Sequence, residues 1–256
     1  MANLWQYREL LYFFVWRELK VRYKQTALGV FWALLQPFLT MVVFSLIFGR
    51  FANLPSDGFP YPIFTYVGLL PWQLFSRALS DASQSLVSNQ HMISKIYFPR
   101  IFLPASTVIA SLVDFAIAFL ILLGMMAFYG IAPTWRTLLL PVFILAALLS
   151  AMAVGMWLSA FNVKYRDIKY VTPFIVQFWL YATPVAYSSS LFPEAWRPIL
   201  GLNPMAGVVD GFRWALLGQQ VDSSPLIIVS LVTVVLFLAG GLFYFQKVEQ
   251  TFADVI

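Results

Sequence analysis

A single carboxylate stands deep within apolar sequence: Asp114, in IFLPASTVIASLVDFAIAFLILLGMMAFYG, residues 101–130. An ionised acid in hydrocarbon is costly, so one in this place marks a functional group, such as a step in a proton relay, or a polar contact between helices. No basic partner for it is evident in the sequence. Four more charges gather in NVKYRDIKY, residues 162–170, where Lys164, Arg166, Asp167 and Lys169 lie between two long apolar stretches. Other reactive groups are sparse. One histidine, His91, and no cysteine exclude a multi-histidine centre, a thiolate metal site and a disulfide framework within one chain. No GxxxxGK[ST] loop cradles a phosphate, and there is no HExxH, no GxSxG and no clustered pair of carboxylates.

These groups are set in an apolar chain. Of 256 residues, 61% are hydrophobic and 11% charged, with a mean hydropathy of +0.80. A soluble domain usually carries ~25% charged residues. The apolar residues come in blocks long enough to cross ~30 Å of hydrocarbon, which takes roughly 20 residues as a helix. The ~10-residue alternating segments of a β-barrel are missing. The fold class is therefore an all-α membrane protein. The net charge of +5 does not imply a nucleic-acid partner; in such a protein what matters is where the positive charges lie. MANLWQYREL does not read as a cleavable signal.

Residues 4–24 repeat apolar side chains at helical spacing and carry Arg8, Glu9, Arg17, Glu18, Lys20, Arg22 and Lys24. Too charged to span and too aromatic for water, the segment reads as an amphipathic helix in the headgroup region. A soluble helix against a core is the plainer alternative. Six spans follow, over residues 28–49, 63–86, 101–130, 138–161, 170–187 and 226–245. Pro37 kinks the first. The second is irregular, with Gly68, Pro71, Arg77 and Asp81. With the N-terminus inside, the inner segments hold Arg8, Arg17, Lys20, Arg22, Lys24, Lys95, Arg100, Lys164, Arg166, Lys169 and Lys247. The outer ones hold Arg50, Arg136, Arg197 and Arg213. That bias puts both termini in the cytoplasm and makes NVKYRDIKY a cytoplasmic turn.

Residues 188–222 contain apolar pieces too short to span, divided by Pro193, Pro198 and Pro204. Two short elements joined by LNP suggest an external re-entrant hairpin. Irregular backbone at membrane depth needs protein or a water-filled cavity around it, so a hairpin there implies a pathway or gate. A surface loop with two interfacial helices is the alternative. Trp5, Trp16, Trp135 and Trp196 suit membrane belts. Trp32, Phe38, Phe44, Trp72, Phe178, Trp179 and Tyr181 lie inside spans, where aromatic planes can stack on sugar rings or simply fill the space between helices.

The order of these parts resembles the membrane subunit of type-2 ABC exporters, in particular the group exporting O-antigen or teichoic acid on a lipid carrier. The resemblance rests on RYKQTALGVFWALLQP (22–37), the polar stretch SNQHMISKIYFPR (88–100), NVKYRDIKYVTP (162–173) and LNPM (202–205), and covers the chain. It implies a homodimer in the bacterial cytoplasmic membrane that binds two copies of a separate ATPase. ATP and Mg would be held by that partner, with no cofactor in this chain. It further implies that Arg17, Ser88, Asn89, His91, Lys95, Tyr97, Arg166 and Asp167 couple to the ATPase. A dimer channel would be lined by the first and fifth spans, with Trp32, Phe38, Phe178, Trp179 and Tyr181 on the pathway and Met205 and Trp214 near its mouth. A drug or lipid exporter shares the architecture, but compact size favours polysaccharide. A membrane enzyme would need acid, base or metal groups clustered at one face, and an ion-coupled transporter would need repeats or several buried ionisable groups.

Overall fold

A computed structural model describes residues 7–24, 29–96, 98–218 and 224–249, with backbone alone at 29, 30, 32 and 33. Among these residues every regular element is helical. Helix α1 is Arg8–Tyr23. Helix α2, Gly29–Phe44, contains Pro37 and continues into a π-helical turn, Ser45–Phe51. Helix α3, Tyr61–Ser88, opens with proline in its first turn, where a missing N–H costs nothing. Short α4, Gln90–Ile93, leads to α5, Phe102–Phe128, and a 3₁₀ turn precedes α6, Leu140–Lys164. Helix α7 is Ile168–Ala182. After irregular chain come α8, Arg197–Leu200, then α9, Pro204–Leu217, and α10, Ser224–Glu249.

Helix α3 is the central post. It lies along α5 and α6 and also touches α2, α7 and α9. Small residues bring the axes together: a Cβ on Gly155 of α6 would sit 2.8 Å from the Ala82 Cβ of α3. Close backbone approach of this kind is how helices associate where lipid is as apolar as the side chains. Tyr66 of α3 donates its hydroxyl to the Ala118 carbonyl of α5 at 3.0 Å.

Among the described residues, four stretches are long and apolar enough to cross a membrane: Leu34–Phe51, Phe102–Phe128, Trp135–Lys164 and Ser224–Glu249. They match the first, third, fourth and sixth expected spans. The second and fifth are helices that fall short of that measure. Helix α3 carries Arg77 and Asp81, and α7 has 15 residues. The fifth was expected to reach 187. It stops at Thr183, which is extended at φ −101° and ψ 137°, because Pro184 clashes with a helical residue before it.

Helix α1 uses two apolar faces. Phe14 is buried against the lower ends of α3, α5, α6 and α10, with Tyr7, Leu10 and Leu11 beside it. Tyr12, Phe13 and Trp16 are exposed. The segment therefore packs on the bundle through one face and offers aromatic side chains on the other.

Candidate functional site

Asp114 has partners that the sequence did not reveal. Arg22, in the last turn of α1, donates Nη1 to Asp114 Oδ2 of α5 and Nη2 to Asp81 Oδ2 of α3, each at 2.5 Å. Tyr23 donates its hydroxyl to the other Asp114 oxygen. Burial, and then the hydrogen bond to Asp114, push the Tyr23 phenol up to about 12, so it remains a donor at neutral pH. Arg77 lies farther out, 3.5 Å from Asp81 and 3.9 Å from Asp114. Its side chain is 49% exposed, against 14% for Arg22. Two guanidiniums and two carboxylates leave the cluster with no net charge.

Cavities adjoin the cluster. One of about 400 Å³ is lined by Arg22, Tyr23, Gln36, Gln73, Arg77 and Asp114, and α7 contributes Val176. Another of about 500 Å³ is lined by Arg17, Glu18, Arg22, Arg77, Asp81 and Asn89. Arg22 and Arg77 border both, so the cluster forms the wall between them.

The expected coupling residues collect at this end. Arg17 donates Nη2 to Asn89 Oδ1 at 2.7 Å and to Glu18 at 2.9 Å, which fastens α1 to the α3–α4 junction. Ser88, His91 and Lys95 are exposed nearby. Tyr97 lies outside the described residues. In NVKYRDIKY, Asn162 is buried and donates to the Ser83 carbonyl of α3 at 3.0 Å, so it anchors the turn. Arg166 and Asp167 are exposed. Among the described residues neither makes an ion pair. The turn is held by backbone bonds, with Tyr170 N donating to the Asp167 carbonyl at 2.9 Å.

The expected pathway residues divide. Helix α7 leaves Tyr170, Phe174, Phe178 and Tyr181 exposed along one face, at helical spacing. The Phe174 and Phe178 ring centroids are 4.4 Å apart. Phe38 of α2 is also exposed. The Trp32 side chain lies outside the described residues. Trp179 turns inward: it meets Phe75 edge-on at 5.1 Å and donates Nε1 to Asn203 Oδ1 at 2.8 Å. Met205 is fully buried, so its side chain lines no open surface of this chain. The cause is that α9 is buried at every residue except Trp214. Trp214 is half-buried, edge-on to Trp135 at 6.2 Å with Arg136 over its ring.

LNP works as a clasp. Asn203 caps α9 by accepting from Met205 N at 3.0 Å and donates Nδ2 to Thr183 Oγ1 at 2.9 Å. It thereby ties the start of α9 to the end of α7. Arg213, expected among the outer loop charges, is instead 0% exposed. It donates to the carbonyls of Pro184 at 2.7 Å, Val185 at 2.6 Å and Tyr187 at 3.2 Å, and lies over the Phe64 ring at 3.7 Å. Asp210 Oδ1 is 3.7 Å away and its other oxygen accepts from Ser189 at 2.5 Å. Gly68 makes the room, since a Cβ there would sit 2.8 Å from Arg213 Nη2. Sequence reasoning missed this site. Its signal was an Asp and an Arg three residues apart in an otherwise apolar helix, with proline-broken chain upstream to free carbonyls.

Helices long and apolar enough to cross a membrane, with an ion-pair cluster held among them, define a membrane protein. The chain belongs to the ABC-2 type transporter family, whose description matches residues 9–217. It is 34% identical over 261 residues to the O-antigen export system permease protein RfbA of Myxococcus xanthus, covering 100% of this chain and 98% of that one. A permease of the same name from Klebsiella pneumoniae is 25% identical over 255 residues, covering 99% and 97%. The polysialic acid transport protein KpsM of Escherichia coli is 24% identical over 241 residues, covering 87% and 88%.

Proposed function

We propose that this chain is the permease subunit of an ABC exporter that carries a lipid-linked polysaccharide, O-antigen-like or teichoic acid, across the bacterial cytoplasmic membrane. The observation that carries the reading is end-to-end similarity to an O-antigen export permease. Two copies form the pathway, and two copies of a separate ATPase bind ATP and Mg and drive it. The absence of a phosphate-binding loop from this sequence is in keeping with that division of labour. Helices α3 and α7 complete six spans, both termini face the cytoplasm, and residues 188–222 form a re-entrant hairpin on the far side.

A polymer longer than the bilayer is thick needs a continuous route, with surfaces that hold many sugar rings weakly and let them slide. The exposed face of α7, with Phe174, Phe178 and Tyr181, and Phe38 on α2 supply aromatic planes of this kind. Met205 and Trp179 are assigned to the scaffold behind them. Arg17, Asn89, His91 and Lys95 present the α1 end to the ATPase, with Ser88, Arg166 and Asp167 on the same surface.

The test is deletion of the gene and complementation, scored by surface polysaccharide and by lipid-linked glycan retained inside the cell. The intact gene restores export, and the chain co-purifies with an ATPase that lacks spans of its own. Alanine at Phe174, Phe178 or Tyr181 impairs export at normal membrane abundance. Normal surface polysaccharide in the deletion strain, or robust ATP hydrolysis by the pure chain, overturns the reading.

A further inference from the structure

We propose that Arg22 is a positioning residue for transport: it clamps the end of α1 to α3 and α5, so that a displacement of α1 reaches both helices together. The proposal rests on the reading above in one respect, that the partner ATPase acts on the α1 end.

The geometry is specific to a clamp. A guanidinium offers N–H groups in a fixed planar fork, and here its two ends go to carboxylates on two different helices, each at 2.5 Å. Tyr23 holds Asp114 from the adjacent position. Five residues earlier Arg17 bonds Asn89 at the end of α3. Helix α1 is thus fastened to α3 at two levels and to α5 at one. A displacement of α1 then pulls on both helices together. Helix α3 is buried along most of its length between α5, α6 and α9, and interiors packed to crystal density transmit displacement rather than absorb it. Farther along α3, Phe75 meets Trp179 of α7, the helix that carries the exposed aromatic face. A mechanical line therefore runs from α1 through Arg22 and Asp81 to α3, and from Phe75 and Trp179 to α7.

Arg77 does not perform this task. It sits at 3.5 Å and 3.9 Å from the carboxylates, on the same helix as Asp81. It balances the charge of the second carboxylate and links α3 to α5, but among the described residues it forms no ion pair with α1. Arg22 also borders both cavities, so a shift of α1 changes the wall between them.

The chain has no cysteine, so paired labels can be placed without background. Spin labels at Tyr12→Cys on α1 and Leu120→Cys on α5, both exposed positions, report the α1–α5 separation in the assembled complex. With labelled chain diluted into cysteine-free wild-type chain, so that most labelled complexes carry one labelled protomer, the expected result is one narrow separation, unchanged by ATP, in the otherwise wild-type protomer, and a broadened separation with Arg22→Gln. Export per assembled Arg22→Gln complex falls about tenfold while ATP hydrolysis per complex stays within about twofold. Arg22→Lys keeps the charge but loses the fork, and restores only part of the export. A purely structural role would instead lower export and hydrolysis together, in proportion to assembled complex, and that outcome overturns the inference. So does Arg22→Gln export within about twofold of wild type. Failure of the wild-type chain to recruit any ATPase sinks the functional reading instead. The separation measured in the chain alone then decides the clamp, and an unbroadened Arg22→Gln distribution rejects it.

Discussion

Arg22 and Arg213 are both guanidiniums held inside an apolar protein, and they are held in opposite ways. Arg22 takes carboxylates from two helices and faces cavities on two sides. Arg213 is closed off entirely and takes backbone carbonyls that the break after α7 sets free. A buried cation must find such partners because water is not there to supply them. Carboxylates on side chains can swing, and water in a cavity can replace them. The carbonyls of Pro184, Val185 and Tyr187 have no such freedom, so their positions and that of Arg213 fix each other. The α1 end is therefore built to be displaced, and the end around α9 is built to stay.

This contrast is sharpest at Arg213. Arg213→Met leaves three carbonyls and Asp210 without their cation, and breaking a buried pair in this way costs about 3–5 kcal/mol. Thermal unfolding in detergent should show the largest loss of midpoint of any single change discussed here. A variant as stable as wild type would mean that the far end is not fixed by this residue. Next comes Gly211, where a Cβ would lie 2.2 Å from the Phe143 ring. Gly211→Ala overpacks the α6–α9 contact by about 1–3 kcal/mol, and Phe143→Leu in the same chain should recover most of the loss. Asn203→Ala removes the α9 cap and the acceptor for Trp179. The cap alone is worth about 1 kcal/mol, and the same melting curves would register it. At the α1 end, Arg17→Ala breaks a pair whose side chains are 37% and 23% exposed. Its cost should be below about 1 kcal/mol. If Arg17→Ala destabilised the protein as much as Arg213→Met, the division into a displaceable end and a fixed end would collapse.

Hydropathy made the helical membrane class and the long spans legible, because long apolar runs need no tertiary information. The turn at 165–167 and the short elements around LNP were also readable from charge and proline. Partners across the chain were not. Asp114 looked solitary because Arg22 is distant in sequence and sits in a segment read as interfacial. Arg213 was counted among loop charges because a charge tally assumes that every guanidinium seeks water. Here unwound backbone gives it acceptors, which no pattern of side chains announces. Trp179 was placed on the pathway and Met205 near its mouth by resemblance, without knowing which way either side chain points. At 3.6 residues per turn, only the backbone decides that Phe178 faces out and Trp179 faces Asn203.

The burial of α9 also bears on biogenesis. Gly207 of α9 donates its N–H to Ser230 Oγ of α10 at 3.0 Å, and Ser230 in turn donates to the Asn203 carbonyl. A Cβ on Gly207 would lie 2.5 Å from the Ser230 Cβ, so the two helices meet almost backbone to backbone. During synthesis α9 leaves the ribosome before the surface that covers it exists. Until α10 is made and inserted, the glycine face has no cover and the Asn203 carbonyl lacks the Ser230 hydroxyl. Helix α10 thus closes this face of the bundle, and a nascent chain released before residue 224 would leave a bundle that quality-control proteases can recognise by that open face.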